Sequence, residues 1–136
     1  MKSEIKKIIA ASFSEPNNLE NTLDEFNNMT DDELSLTCYS LWGLPVPPIS
    51  VVRAAGVKVQ IFHSRWVKGQ GVKKTRDLIA AGFTGRDFQP RAGVTEVIVT
   101  FPDGEVKSAK SICSKSDHFC YRDGAYLTLS KILLGD

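Results

Sequence analysis

Apolar residues recur at helical spacing through the first 43 residues of the chain, in three separate stretches. Residues 3–13 and 16–28 place their apolar side chains three or four positions apart, which predicts two amphipathic helices. Thr30 and Glu33 open the third stretch with the spacing of a capping box, in which two side chains satisfy free backbone N–H groups at a helix start. We therefore expect an acidic helical unit over residues 1–44.

Alternation of apolar and polar residues, the pattern of half-buried strands, begins only after the proline-rich segment 45–48. One such stretch covers residues 57–67 and another covers residues 94–101. The Pro-Asp-Gly sequence at 102–104 favours a tight reversal, because Asp tolerates the turn and Gly supplies a positive φ. A return strand over residues 105–113 follows, so these two strands are expected to form a hairpin.

The other stretches of this part are expected to be helical or irregular. Residues 72–81 predict a short basic helix and residues 83–93 an irregular segment. A last helix, ended by Gly135, has an apolar face made of Ala125, Tyr126, Leu129, Ile132 and Leu133. The expected fold class is α+β, with a roughly three-stranded antiparallel sheet, packed helices and a preceding N-terminal helical unit. The expected organisation is a helical unit over residues 1–44, a connector over 45–48 and an α+β domain over 49–136.

Length and composition place the chain among globular proteins of ordinary type. It has 136 residues, of which 42% are hydrophobic and 24% are charged, which suits one domain or one domain with a small appendage. No apolar run approaches the roughly 18–20 residues that a membrane span needs. Three cysteines without a secretory signal favour reduced thiols and a cytoplasmic location.

The net charge of +1 conceals a gradient along the chain. Residues 1–50 carry three lysines against eight acids, a net charge of −5. Residues 51–92 carry nine Lys and Arg against two acids, a net charge of +7, and the remainder carries −1. A positive middle between neutral and acidic parts favours contact with a polyanion.

These charges lead to the first hypothesis, a small non-enzymatic accessory protein that binds nucleic acid through its basic central region. Lys and Arg would contact phosphates and Trp66 would stack on a base, while Phe62 shares its strand face. The sequence does not distinguish DNA from RNA. The candidate nucleic-acid-binding residues are Lys58, Arg65, Trp66, Lys68, Lys73, Lys74, Arg76, Arg86 and Arg91.

Two alternatives belong to other functional classes. The protein is also compatible with a regulator or inhibitor of a host protein, acting through acids of the helical unit such as Asp31, Asp32 and Glu33. A third hypothesis is that the protein binds a small ligand or is an enzyme, using His63, Arg65, Cys113 and His118. No acid–base pair or cofactor loop stands out, so we expect neither catalysis nor a cofactor.

Two short motifs suggest binding chemistry. The stretch from Gly69 to Thr75 follows a strand and contains Lys73 and Lys74, which favours binding of simple anions, although the spacing does not fit a nucleoside-triphosphate loop. Cys113, His118 and Cys120 lie within eight residues and are candidate metal ligands, but their spacing matches no standard zinc motif. We expect no metal.

The last third of the chain resembles small uncharacterised proteins of phages and mobile elements. The resemblance consists of a strand, Cys113, Asp117, Phe119 and Gly124, followed by an apolar helix. Members of that group usually carry Arg and Ala in this helix, whereas this chain has Ala125-Tyr-Leu. The resemblance implies a phage-like genomic origin and carries no functional assignment.

Overall fold

The computed structural model describes residues 1–13 and 15–134, except for the side chains of Pro16 and residues 115–117. The helices are α1 (Ser3–Phe13), α2 (Leu19–Asn27), α3 (Asp31–Trp42), α4 (Ile49–Ala54), α5 (Thr75–Ala80) and α6 (Tyr121–Leu134), with a 3-10 turn at Pro16–Asn18. The strands are β1 (Lys58–Val67), β2 (Gly71–Lys74), β3 (Arg91–Thr100) and β4 (Val106–His118). They form one antiparallel sheet in the order β2-β1-β3-β4, which confirms the α+β class.

The sheet has four strands rather than about three, because Gly71–Lys74 forms β2 and not the start of a helix. Gly69 and Gly71 both have positive φ, at 84° and 72°, and the Gln70 N–H donates to the Val67 carbonyl at 2.9 Å. This turn lays the next residues antiparallel to β1. The prediction of a helix over residues 72–81 is therefore wrong at its start, and α5 begins only at Thr75.

The two hairpin strands are longer than the alternation of apolar residues indicated. β3 begins at Arg91 rather than at residue 94, and β4 continues to His118 rather than ending at residue 113. Small or polar residues occupy both extensions, so the pattern of side chains there does not mark a strand. The expected apolar face of α6 is confirmed for Ala125, Leu129, Ile132 and Leu133, which are buried, while Tyr126 is half-buried. Gly135 lies outside the described residues.

The contacts divide the chain into two compact units. The first contains residues 1–59, residues 99–107 and the end of the chain from Ser130, and the second contains residues 60–98 and 108–129. In the first unit, α1 packs against α2, α3 and α4. Its core includes Ile5, Ile9, Phe26, Leu34 and Val52. The separate segment expected at 45–48 stays a prediction.

The capping box at the start of α3 is confirmed. The Glu33 N–H donates to Thr30 Oγ1 at 3.2 Å, and the Thr30 N–H donates to the Glu33 carboxylate at 3.2 Å. Asp31 accepts a hydrogen bond from the Met1 amino group at 2.9 Å. Two of the acids in this cluster therefore stabilise the helix that carries them.

Lys2 is held by two carboxylates within the first unit. Its Nζ lies 2.8 Å from an oxygen of Asp103 and 2.8 Å from an oxygen of Glu105. The hydrogen bonds that Lys2 donates lower the pKa of both carboxyl groups, and the same bonds, to Asp103 and then to Glu105, raise the pKa of Lys2. A carboxyl group whose pKa is lowered by folding adds stability that is present above its unfolded pKa and lost as the pH falls through its folded pKa.

Lys2→Met is therefore expected to lower the free energy of unfolding at neutral pH, with a loss that fades as the medium becomes acidic. The difference should persist above the ordinary carboxyl pKa values of 3.8 and 4.5 and shrink below them. Urea unfolding midpoints of both proteins between pH 7 and pH 2 measure this. A difference that is the same at every pH would show that the carboxylates are not coupled to Lys2.

Candidate functional site

The two faces of the sheet in the second unit differ in chemistry. On the inner face, Thr95 of β3 lies against α6, where a Cβ added to Gly124 would meet Thr95 Oγ1 at 2.5 Å. The outer face, on the other side of β1, carries Phe62 and Trp66. Cross-strand pairing places Val72 of β2 opposite Trp66, so side chains of β2 extend the outer face.

Two cations converge on the ring of Phe62. Lys74 Nζ lies 5.0 Å from the ring centroid, and the Arg76 guanidinium carbon lies 5.7 Å from it. Both distances are within the range of cation–π attraction. These side chains, together with His63, Thr75 and Tyr121, line a space of about 310 Å³ that we call the edge cavity. The structure thus brings Lys74 and Arg76 together around an aromatic ring.

Trp66 stands beside a larger depression on the outer face. Its side chain is 36% exposed, and a space of about 630 Å³, the tryptophan groove, is lined by Trp66, Val72, Arg91 and Ala92 among others. Ala92 has a φ of 65°, the one non-glycine residue in the described chain with positive φ. Such strained backbone persists where the surroundings hold it and is common at binding sites.

Arg65 lies on the inner face of β1, opposite Lys73 in the pairing with β2. Its side chain is buried, with only 8% exposure. Nη1 donates to the Tyr121 hydroxyl oxygen at 2.8 Å and Nη2 donates to the Gln89 carbonyl at 2.7 Å. The rings of Phe88, Phe119 and Tyr121 surround the guanidinium, whose centre is 4.7 Å from that of Phe119. Arg65 is therefore occupied within the fold and is not part of the exposed basic surface.

His63 lies beside this buried arginine. Its ring contacts Phe119 and Tyr121 edge-on, and Nδ1 lies 3.0 Å from Thr95 Oγ1. Burial, and then the positive charge of Arg65, lower the pKa of His63. The imidazole is therefore neutral at pH 7, and it lines the edge cavity as a polar group without charge.

Cys113, His118 and Cys120 all line a third space, of about 310 Å³, between β4 and the start of α6. Ser111 borders the same space, and its buried Oγ has no hydrogen-bond partner within the described residues. Among the residues that the structure describes, no three His, Cys, Asp or Glu side chains are arranged to hold a metal ion. His63 and Arg65 do not line this space, but Phe119, which does, contacts both of them.

The remaining candidate residues of the nucleic-acid hypothesis are exposed but dispersed. Lys58 stands at the start of β1, and Lys68 lies in the turn after it. Lys73 donates to the Gln70 side chain at 3.2 Å. Arg86 lies in the loop between α5 and β3. None of these four lines the edge cavity or the tryptophan groove as described.

Sequence reasoning overlooked several residues that shape both faces. Tyr121 lines the edge cavity and holds Arg65 in place, and Thr95 fixes His63. A signal existed for Thr95, because a threonine interrupts the row of valines at positions 97 and 99. No signal in the sequence placed Tyr121 next to β1, since 56 residues separate it from Arg65.

No helix in the described part of the chain is both long and apolar enough to cross a membrane. No protein-family model matches this chain, and no curated protein or solved structure matches it either. Its function is therefore argued from the chemistry of the outer face and the cavities described above.

Proposed function

We propose that this protein binds single-stranded nucleic acid through the outer face of β1 and β2. The observation that carries the proposal is that two aromatic side chains on one strand face each border a cavity that is also lined by Lys or Arg. Phe62 has Lys74 and Arg76 on its ring, and Trp66 borders a groove with Arg91 at its wall. Proteins that bind single strands join these same parts, aromatic rings for bases and cations for the backbone.

The spacing of the two rings suits a nucleic-acid strand. Phe62 and Trp66 are four residues apart on one strand, which separates their Cα atoms by about 13 Å. Extended single strands place neighbouring bases several ångströms apart, so bases two or three positions apart would reach the two rings. A duplex keeps its bases stacked on one another and offers no free ring faces, so the geometry favours single strands.

The charges around the rings support an anionic partner. Within the described residues, no Asp or Glu lines the edge cavity or the tryptophan groove. Lys74 and Arg76 lie at the Phe62 ring, and Arg91 lines the groove beside Trp66; all three are exposed. A polyanion that contacts them releases its counterions, which stabilises the complex most at low salt.

Trp66→Ala is expected to weaken binding of a single-stranded oligonucleotide roughly tenfold, because a stacked base contributes about 1–3 kcal/mol. The loss should be similar at low and at physiological salt, since no charge is removed. Trp66→Phe should retain most of the affinity. Fluorescence anisotropy with a labelled oligonucleotide measures all three proteins, and the matched control is Tyr39→Ala, an exposed aromatic residue of α3 in the first unit.

Arg91→Gln is expected to act on the salt dependence instead. Removing one phosphate contact should reduce the slope of log affinity against log salt by about 0.7. Arg122→Gln, which changes an exposed arginine of α6, should leave that slope unchanged. Absence of binding at low salt would overturn the proposal, as would equal losses in Trp66→Ala and Tyr39→Ala.

A further inference from the structure

The edge cavity lies where β1 extends beyond β2. The antiparallel pairing ends at Ser64 and Lys74, and the chain then turns into α5 at Thr75. Phe62 and His63 therefore have no β2 residue opposite them in the described register. The cavity of about 310 Å³ opens at this unpaired stretch and receives side chains from β1, the end of β2, α5 and the start of α6.

Apart from the neutral His63 ring, the polar side chains that line the edge cavity are cations or hydroxyl groups, which can donate hydrogen bonds. Lys74 and Arg76 supply two positive charges held near one ring. Thr75 Oγ1 is buried and has no hydrogen-bond partner within the described chain. The Tyr121 oxygen accepts from Arg65, so its own O–H proton remains available for a second partner.

These groups match a phosphate. Asp77 lies 3.8 Å from Arg76 Nε and offsets part of its positive charge at the exposed surface, but it does not line the cavity. An anion in the cavity would be attracted by both Lys74 and Arg76. An unpartnered buried hydroxyl costs free energy that a hydrogen bond to a ligand oxygen recovers. Buried Arg65 adds a third positive charge behind Tyr121, and its hydrogen-bond partners in the described part of the chain, the Tyr121 hydroxyl and the Gln89 carbonyl, are neutral.

The excess of positive charge distinguishes a terminal phosphate from an internal one. A phosphate monoester carries about −1.5 to −2 at pH 7, whereas a phosphodiester within a strand carries one negative charge. The Phe62 ring and the apolar side chains of Ile61 and Ile79, which also line the cavity, provide a surface for the base or sugar attached to that phosphate.

We propose that the edge cavity, formed by Phe62, Lys74, Thr75, Arg76 and Tyr121, binds the terminal phosphate of a nucleotide. The nucleotide is either the end of a nucleic-acid strand or a free nucleoside monophosphate. The strand-end form rests on the proposed function, because it requires that the protein bind a strand. The free-nucleotide form does not.

Anisotropy titrations test this with three labelled deoxythymidine decamers, which carry a 5′-phosphate, a 3′-phosphate or hydroxyls at both ends. One phosphorylated strand is expected to bind roughly tenfold more tightly than the hydroxyl strand, because its terminal phosphate would accept hydrogen bonds from charged groups of the cavity. A second experiment measures the binding of adenosine monophosphate and of adenosine to the protein by isothermal titration calorimetry. Binding of the monophosphate alone identifies the free nucleotide as a ligand.

Substitutions in the edge cavity test whether the preference for a phosphorylated strand arises there. Lys74→Gln with Arg76→Gln should abolish the preference for the phosphorylated strand, and Thr75→Val should reduce it. The matched control is Lys73→Gln, since Lys73 adjoins Lys74 in sequence but does not line the cavity. Thermal unfolding of each variant shows that the fold is retained, and Trp66→Ala should weaken all three decamers equally.

Each outcome has a definite meaning. If the decamers bind equally well and adenosine monophosphate does not bind, the terminal-phosphate site is overturned while the proposed function stands. If no decamer binds but the monophosphate does, the proposed function fails and the site stands for free nucleotides. A loss of preference in Lys73→Gln as large as that in the double variant would also overturn the site, because it would show a general effect of charge.

Discussion

Replacing Gly93 by alanine should lower the free energy of unfolding by about 3 kcal/mol, the combined cost of a steric clash and a strained backbone. Gly93 has a φ of 152°, which side chains rarely adopt. A Cβ there would clash with Phe119 Cδ2 and would lie 3.0 Å from the Ser64 carbonyl oxygen. Phe119 has little room to move, because its ring packs against Arg65 and Tyr121.

Urea unfolding measures this loss, and a second glycine separates its two causes. Gly104 also has a positive φ, of 91°, but an added Cβ there meets no described atom within 4 Å. Gly104→Ala therefore reports strain alone and should cost about 1 kcal/mol. Gly93→Ala with Phe119→Leu should recover part of the larger loss. If Gly93→Ala costs no more than Gly104→Ala, the close packing of Phe119 on β3 is not present.

Gly124→Ala is expected to cost about 2 kcal/mol even though alanine is the better helix former by about 1 kcal/mol. The added Cβ would lie 2.5 Å from Thr95 Oγ1 and 3.2 Å from Thr95 Cβ. Thr95 is only 1% exposed, and its hydroxyl is bonded to His63 at 3.0 Å. Because Thr95 is buried and hydrogen-bonded, it cannot move away from the added Cβ, so the clash outweighs the gain in helix propensity.

A double-mutant cycle identifies the partner in this clash. In a Thr95→Ala protein the hydroxyl group at 2.5 Å is gone and only the Cβ contact at 3.2 Å remains. Gly124→Ala should then become nearly neutral, with a coupling of about 2 kcal/mol. Thr95→Ser retains the oxygen and should not rescue. Equal effects of Gly124→Ala in the wild-type and Thr95→Ala proteins would contradict the close approach of α6 to β3.

The elements that the sequence predicted well carry their own local signals. Thr30 and Glu33 form the capping box because the motif involves only residues three apart. β2 had no such signal. Its Gly-Val-Lys-Lys sequence is too short to show alternation, and its strand conformation comes from pairing with residues 64–67 of β1. Short elements that depend on a neighbour are hidden in a sequence for this reason.

The side chains of the proposed binding surface could be named from the sequence, but their arrangement could not. The charge of the middle segment pointed to an anionic partner, and alternation along β1 placed Phe62 and Trp66 on one face. Alternation also placed Arg65 on the opposite face, but the rings that bury it come from residues 88, 119 and 121. The convergence of Lys74 and Arg76 on Phe62 depends on the end of β2. Contacts of this kind join residues that are distant in the sequence, so they depend on the tertiary fold.

The position of β2 at one end of the strand order has a consequence for self-association. An edge strand exposes backbone N–H and C=O groups that a strand of another molecule can join, and short length and lysines discourage this. β2 has four residues and two of them are Lys73 and Lys74. Lys74, which lines the edge cavity, and Lys73, which does not, therefore both discourage strand addition at this edge. Chains that lose both lysines to neutral residues would risk insolubility, so substitutions at this edge are constrained by colloidal stability as well as by ligand affinity.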